Sequence, residues 1–277
     1  MEAHFRSARV LIAGLGLIGG SVAKALRQAG IAHIDGLDTD AATLTAAQAE
    51  GVIGGDFQAG GTVYDIVICS LAPQAVFPLY EQVRGSLKTG SVFAELSGLK
   101  ARVVGTLVPA LADGHELLCL HPMAGSEKSG YAHSDAALFQ NATLILTPTE
   151  RTGEAANAWA NVLRNALGCS EMPVLSADTH DRVVADMSHL PHIAALAVRA
   201  VGNGSEAFAG GSYRSVTRVA DINAPLWAGL LTDNAEYLLE SIGKLRVQLD
   251  ALEAAVQSRD AAALETLLRS ISAKEEQ

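Results

Sequence analysis

Cationic side chains are scarce in this 277-residue sequence: 20 Lys and Arg face 30 Asp and Glu, for a formal net charge of -10. So acidic a chain offers no cluster of cations for a phosphate backbone. That argues against nucleic acid as a partner and leaves any anionic ligand to a few local cations. Cysteine is nearly lacking. Cys69, Cys119 and Cys169 are an odd set inside apolar strings, which reads as core packing in a reducing cytoplasm rather than a disulfide framework. Long apolar runs are missing too. The run in "MEAHFRSARVLIAGLG" is broken by glycines within a few residues and no small-residue cleavage site follows, so neither a signal peptide nor a membrane span is expected. With 49% hydrophobic and only 18% charged residues, extended disorder is not expected either.

What is present has a clear order. The length fits one large or two modest domains. Up to about residue 175, short apolar runs alternate with Ala- and Leu-rich amphipathic stretches. The runs are "RVLIAG", "HIDGLD", "DIVICS", "SVFAEL", "ELLCLH", "TLILTP" and "EMPVLS". Continuous apolar strands separated by helix-length segments signal a mainly parallel sheet covered on both faces, an α/β doubly wound domain over 1–175. From residue 176 to 277 the strand signal vanishes and helical patterns follow. The first of these has Asp178 as its expected cap and an interruption near Pro191. "GNGSEAFAGGSYRSVTR" reads as a Gly-rich loop with one short helix. Leu231, Ala235, Leu238, Ile242, Leu245, Leu249, Leu252 and Val256 then recur at alternating steps of four and three. Such a seam calls for another helix along its length, from its own domain or, the favoured reading, from a second copy.

"VLIAGLGLIGGSVAKAL" sets Gly14, Gly16, Leu17, Ile18 and Gly19 between a strand and a helix. Glycines at this spacing allow a tight turn, close approach of backbone to a pyrophosphate, and helix–sheet packing, with the phosphates over the helix N-terminus. Asp38 ends the next run, where a carboxylate accepts from a ribose diol. "DTDAAT" supplies no cation for a 2′-phosphate, so NAD is favoured over NADP. As a plain helix cap Asp38 would be lost to the ribose, unless Asp40 caps instead. Ser70, Leu71 and Ala72 in "CSLAP" and Ser97 in "ELSG" sit on the tails of later strands, which should wall the nicotinamide half of the pocket.

His121 opens "HPMAGSEKSG" at the end of a strand on the same side. A lone histidine there is often structural, but "SHLPH" adds His189 and His192, three apart, and "YRSVTR" adds Arg214 and Arg218. The three histidines could ligate zinc, yet no Cys or Asp joins them at familiar ligand spacings, so no metal is expected.

Over essentially its whole length the chain resembles the prephenate/arogenate dehydrogenase family, on "GLGLIGGS" (14–21), "HPMAGSEKSG" (121–130), "SHLPH" (188–192) and "TRVADINAPLW" (217–227). The resemblance implies a Rossmann-type dinucleotide-binding domain followed by an all-helical dimerisation domain, and oxidative decarboxylation of a cyclohexadienol to a phenol. The small-molecule substrate would be prephenate, with arogenate or an amino-substituted analogue as alternatives. That chemistry needs a neutral acceptor for the hydroxyl proton, the role assigned to His121. By resemblance Arg218 grips the leaving carboxylate, as suits a guanidinium, and His192 helps bind substrate. Ser126 and Glu127 line the pocket, with Glu127 able to pair with Arg218 or Lys128 as a gate or merely at the surface. Trp227 matches an aromatic near the site, and its plainer reading is a core anchor. One departure stands out: Gly98 occupies the place, two before Lys100, where the family usually has serine, with Ser97 shifted by one. Asp221 is a candidate reader of the substrate side chain. Two other classes fit parts of the chain. A β-hydroxyacid dehydrogenase would want a lysine that "DTHDRVVADMSHLPH" lacks, and a non-catalytic NAD-sensing dimer has no use for His121, His192 and Arg218 together.

Overall fold

In the computed structural model, residues 3–125, 128–202 and 208–273 are described. The strands are β1 (Arg9–Ala13), β2 (His33–Leu37), β3 (Gly55–Asp56), β4 (Tyr64–Cys69), β5 (Leu87–Glu95), β6 (Glu116–Pro122) and β7 (Leu144–Thr147). They form one sheet in the order β3-β2-β1-β4-β5-β6-β7. All neighbours run parallel except β6 and β7. The order reverses between β1 and β4, which opens a crevice beyond their carboxyl ends.

After a short opening turn, α1 (Ala3–Arg6), the helices of this half are α2 (Leu17–Gln28), α3 (Ala41–Ala49), α4 (Pro73–Val83), α5 (Ala101–Ala110) and α6 (Glu154–Leu167). The strands are apolar throughout because both faces are covered. Val10 and Ile12 of β1 join a core with Val22 and Leu26 of α2 and Trp159 and Leu163 of α6. Leu11 and Ala13, pointing the other way, join Val76 and Tyr80 of α4 and Val103 and Leu107 of α5.

β7 is the antiparallel edge of this mainly parallel sheet, because the chain between it and β6 carries no crossover helix among the described residues, only the turn Tyr131–His133. One expectation needs correction. "EMPVLS" makes isolated bridges to β7 and the residue before it (Leu146 with Val174, Thr143 with Glu171) rather than a strand; Pro173 within it has no N–H to give a ladder. The two-residue β3 had no run to announce it.

Beyond Ser176 the chain is helical: α7 (Ala177–Val184), a π-helical turn (Ala185–His189), α8 (Leu190–Val201), α9 (Gly211–Thr217), α10 (Ala224–Asp233), α11 (Ala235–Ser258) and α12 (Ala261–Ser272). Ser176, not Asp178, caps α7, accepting from Thr179 N. Pro191 lacks the N–H that Met187 O would otherwise receive, so the chain passes into α8 through the wider π turn rather than breaking. Among the described residues no helix is long and apolar enough to cross a membrane.

Candidate active site

At the end of β1 the backbone turns through Gly14, whose φ of +83° suits only glycine and whose N–H donates to Leu37 O at 2.8 Å. A Cβ on Gly19 would lie 1.8 Å from Gly14 O, so helix α2 can approach the turn only without one. Gly16 differs. A Cβ there meets nothing within 4 Å, and as the N-cap of α2 Gly16 makes no side-chain cap bond. Its open side therefore faces free space over an uncapped helix N-terminus, the arrangement that receives an anionic group.

Leu17 and Ile18 follow, half-buried, in the first turn of α2. Asp38 braces the turn: its carboxylate accepts from Leu15 N at 2.7 Å and Asp40 N at 2.9 Å, while Asp40 caps α3. Opposite, Ser70 extends β4 by donating its N–H to Ala13 O at 2.8 Å. Its Oγ is buried with no hydrogen-bond partner. Leu71 packs against Gly14, and Ala72 opens α4. An uncapped helix end, a carboxylate at the ribose position and an unsatisfied hydroxyl at the switch point together fit a dinucleotide.

The tails of β5 and β6 build the neighbouring site. Lys100, with its side chain fully buried, bonds Glu95 Oε1 at 2.6 Å, Ser97 O at 2.8 Å and Leu120 O at 2.7 Å, tying the two strand ends together. Ser97 turns its hydroxyl into this network, 2.5 Å from Glu95 Oε2, rather than outward. Gly98 stands over His121: a Cβ on it would be 3.9 Å from His121 Nε2 and 3.7 Å from Leu230 Cδ2 of α10. The other ring nitrogen, Nδ1, lies 2.9 Å from His180 Nε2, and His180 Nδ1 lies 2.7 Å from Asp181 Oδ1.

The helical half covers this spot. His192 lies against Trp227 with centroids 3.9 Å apart, and its Nδ1 is 2.8 Å from Ser188 O, so that nitrogen carries a proton. His189 meets the edge of the same indole and is 3.3 Å from Asn234 Nδ2. It is buried and supports the two rings from behind.

Burial holds the His121 imidazole well below the usual histidine range, with Lys100, His180 and His189 pushing the same way. Burial likewise holds His189 down, to about 4. A neutral His121 with an open Nε2 can accept a proton from a hydroxyl placed beside Gly98. No group of three side chains able to hold a metal occurs among the described residues.

Arg218 is exposed on the turn Arg218–Ala220, which packs on α8, the helix of His192. Arg199 braces that turn from both sides, donating to Thr217 O at 2.9 Å and to Asp221 Oδ1 at 2.8 Å, so the Asp221 carboxylate is engaged there. Ser126 and Glu127 lie outside the described residues.

Two sequence models match the chain. One is described as the nucleotide-binding domain of prephenate dehydrogenase, over residues 22–170, and the other as its dimerization domain, over 176–270. The chain belongs to the prephenate dehydrogenase family. Within that family it is 30% identical over 267 residues to the prephenate dehydrogenase of Bacillus subtilis, covering 91% of this chain and 71% of the relative. It is 28% identical over 263 residues to the cyclohexadienyl dehydrogenase of Zymomonas mobilis, covering 91% and 89%. Among solved structures, the Aquifex aeolicus prephenate dehydrogenase in complex with hydroxyphenyl propionate and NAD+ superposes with a TM-score of 0.87 at 25% identity, covering 97% of each chain. A Mycobacterium tuberculosis 3-hydroxyisobutyrate dehydrogenase, at 16% identity and a TM-score of 0.59, shares the fold alone.

Sequence reasoning missed His180 and Asp181. Their signal was faint: adjacent titratable residues early in an amphipathic helix, with His180 on the same face as the buried Val184 four residues on.

Proposed function

We propose that this protein catalyses NAD-dependent oxidative decarboxylation of prephenate to 4-hydroxyphenylpyruvate. The observation that carries the reading is His121: a neutral imidazole at the carboxyl end of β6, its Nε2 beside Gly98, on the same edge of the sheet as the turn after β1. The turn of Gly14, Gly16 and Gly19 with Leu17, Ile18, Asp38, Ser70, Leu71 and Ala72 would hold NAD, which when bound supplies the acceptor for the hydride. Ser97 would border the cofactor at the tail of β5, with its hydroxyl and backbone N–H both given to Glu95 and its carbonyl accepting from Lys100.

His121 takes the ring hydroxyl's proton as the C–O bond gains double-bond character with hydride departure. The ring then loses its carboxylate as CO2, the pair of the broken C–C bond restores aromaticity, and His121 returns the proton to the phenolic oxygen. Atoms and charge balance with one hydride transferred and no net proton released. His192 and Trp227 give the ring a polar partner and a flat wall. Arg218 binds the leaving carboxylate, and the family resemblance adds Ser126 and Glu127, which lie outside the described residues, to the pocket lining.

The proposed division is a dinucleotide-binding domain over 1–175 and a helical substrate and dimerisation domain over 176–277. α11 buries only Leu238 and Ser241 while Leu239, Val247, Leu249 and Val256 stand more than half exposed, an apolar surface that a second copy would cover in a homodimer. Free buried thiols suit a cytoplasmic location. The test is His121→Asn: turnover falls by about 100- to 10,000-fold, the share general-base catalysis contributes, while NAD affinity stays as it was. Undiminished turnover would reject the mechanism.

A further inference from the structure

We propose that His180 and Asp181 are positioning residues that lock the His121 ring in the tautomer protonated on Nδ1, so that a bare Nε2 faces the gap beside Gly98. The inference rests on the role given to His121 above, but its geometry stands independently. With Asp181 ionised and His180 neutral, the hydrogen-bond chain has one direction, because it starts on backbone amides. Asp181 Oδ1 accepts from Lys100 N at 2.8 Å and Oδ2 from Ala101 N at 2.9 Å, at the N-terminus of α5. A carboxylate can only accept, so His180 Nδ1, 2.7 Å away, must donate to it. A neutral imidazole has one N–H, which leaves His180 Nε2 as an acceptor, and His121 Nδ1, 2.9 Å away, must donate in turn. The proton of His121 is thereby placed away from the substrate and its lone pair toward it.

An unaided histidine divides itself between two tautomers, and only one of them can act as the base. The same carboxylate also joins the two halves of the chain. Lys100 and Ala101 belong to the sheet half, and Asp181 belongs to α7, where its own carbonyl accepts from Asn234 Nδ2 at 2.9 Å. Docking of the helical half and arming of the base are thus one event. The titratable groups facing His121 are His180, His189 and Lys100 with its partner Glu95, and Asp181 stands behind His180. Protonation of His180 would turn the chain round and put the His121 proton on Nε2.

Three full-length variants test this. Asp181→Asn can offer an amide N–H to His180 and reverse the chain; His180→Phe removes the acceptor; His180→Gln keeps a carbonyl oxygen near the position of Nε2. Nitrogen NMR of the His121 ring, read without substrate or cofactor, is expected to show Nδ1–H in the unaltered protein and in His180→Gln, with Nε2–H gained in the other two. The kcat should drop about 100-fold or more in Asp181→Asn and His180→Phe, within the range of general-base catalysis, and stay within about tenfold in His180→Gln. NAD affinity should hold in all three, and the acid limb of the pH profile should move to lower pH in Asp181→Asn as an anion near His121 is lost. A ring protonated on Nε2 in the unaltered protein overturns the proposal, as does an unchanged tautomer and kcat in Asp181→Asn. Where His180→Phe does not fold, His180→Gln decides: Nε2–H with full kcat refutes the lock. Should the protein oxidise neither prephenate nor arogenate, the ring tautomers still answer for the lock, so the two readings fail separately.

Discussion

Replacing Lys100 by Met removes a charge while nearly keeping the side chain's length and volume, so cavity formation contributes little. What changes is the set of partners left behind. Glu95 Oε1, Ser97 O and Leu120 O all lose their donor at a site with no solvent access, and the Glu95 carboxylate keeps Ser97 N and Oγ without a counter-charge. Breaking a buried pair from one side costs about 3–5 kcal/mol, because the remaining charge stays buried without its counter-charge. At about 2–4 °C per kcal/mol for a domain of this size, the melting temperature should fall by roughly 6–20 °C. Glu95→Gln on the Lys100→Met background removes the stranded charge and should recover most of that loss. Thermal and denaturant unfolding of the four proteins of this cycle, with m-values compared, gives the numbers. Lys100→Met within about 1 kcal/mol of the unaltered protein, or a double variant no more stable than Lys100→Met alone, would refute the reasoning. Because Ser97 and Leu120 directly precede Gly98 and His121, kcat should fall along with stability in the single variant.

Gly16→Ala meets no protein atom and should leave the melting temperature unchanged while weakening NAD by roughly tenfold or more, about 1.4 kcal/mol; calorimetric titration checks it. Gly19→Ala drives a Cβ into Gly14 O and should lower the melting temperature and cofactor affinity together. His189, at about 4 in the folded protein against 6.5 ordinarily, takes up a proton more readily when unfolded. Its contribution is therefore complete above pH 6.5 and is lost as pH falls from there to about 4, up to roughly 3 kcal/mol. Urea midpoints measured across that window should fall in His189-containing protein and fall less in His189→Gln.

The parts of this molecule that follow from neighbouring residues were legible in its sequence. The strand–Gly14–Gly16–Gly19–helix turn is local, and so is the division of labour in which Asp40 caps α3 and leaves Asp38 at the end of β2. The alternation of apolar runs with amphipathic stretches announced a sheet covered on both faces, since both faces of β1 had to be apolar. The strand end carrying His121 was visible for the same reason. What stayed hidden depends on long reach. His180 meets His121 across 59 residues, and Asp181 meets Lys100 across 81, through a contact between two halves that no local pattern specifies. The orientation of β7 depends on the lack of a crossover helix among the described residues after β6, and the loss of "EMPVLS" as a strand on one proline. Ser97 looked like a pocket residue by its place after β5, yet a neighbouring buried carboxylate claims its hydroxyl. The space beside Gly98 is bounded by Leu230, brought there from α10.

The most direct test of the central claim is to give the purified full-length protein prephenate and, separately, arogenate, each with NAD and with NADP. Reduced cofactor, CO2 and the phenolic product would be followed together. The account predicts rapid NAD reduction with prephenate, one CO2 and one 4-hydroxyphenylpyruvate for each NAD reduced, and little reduction of NADP. Cofactor reduction without CO2 release, or none with either substrate, would contradict it.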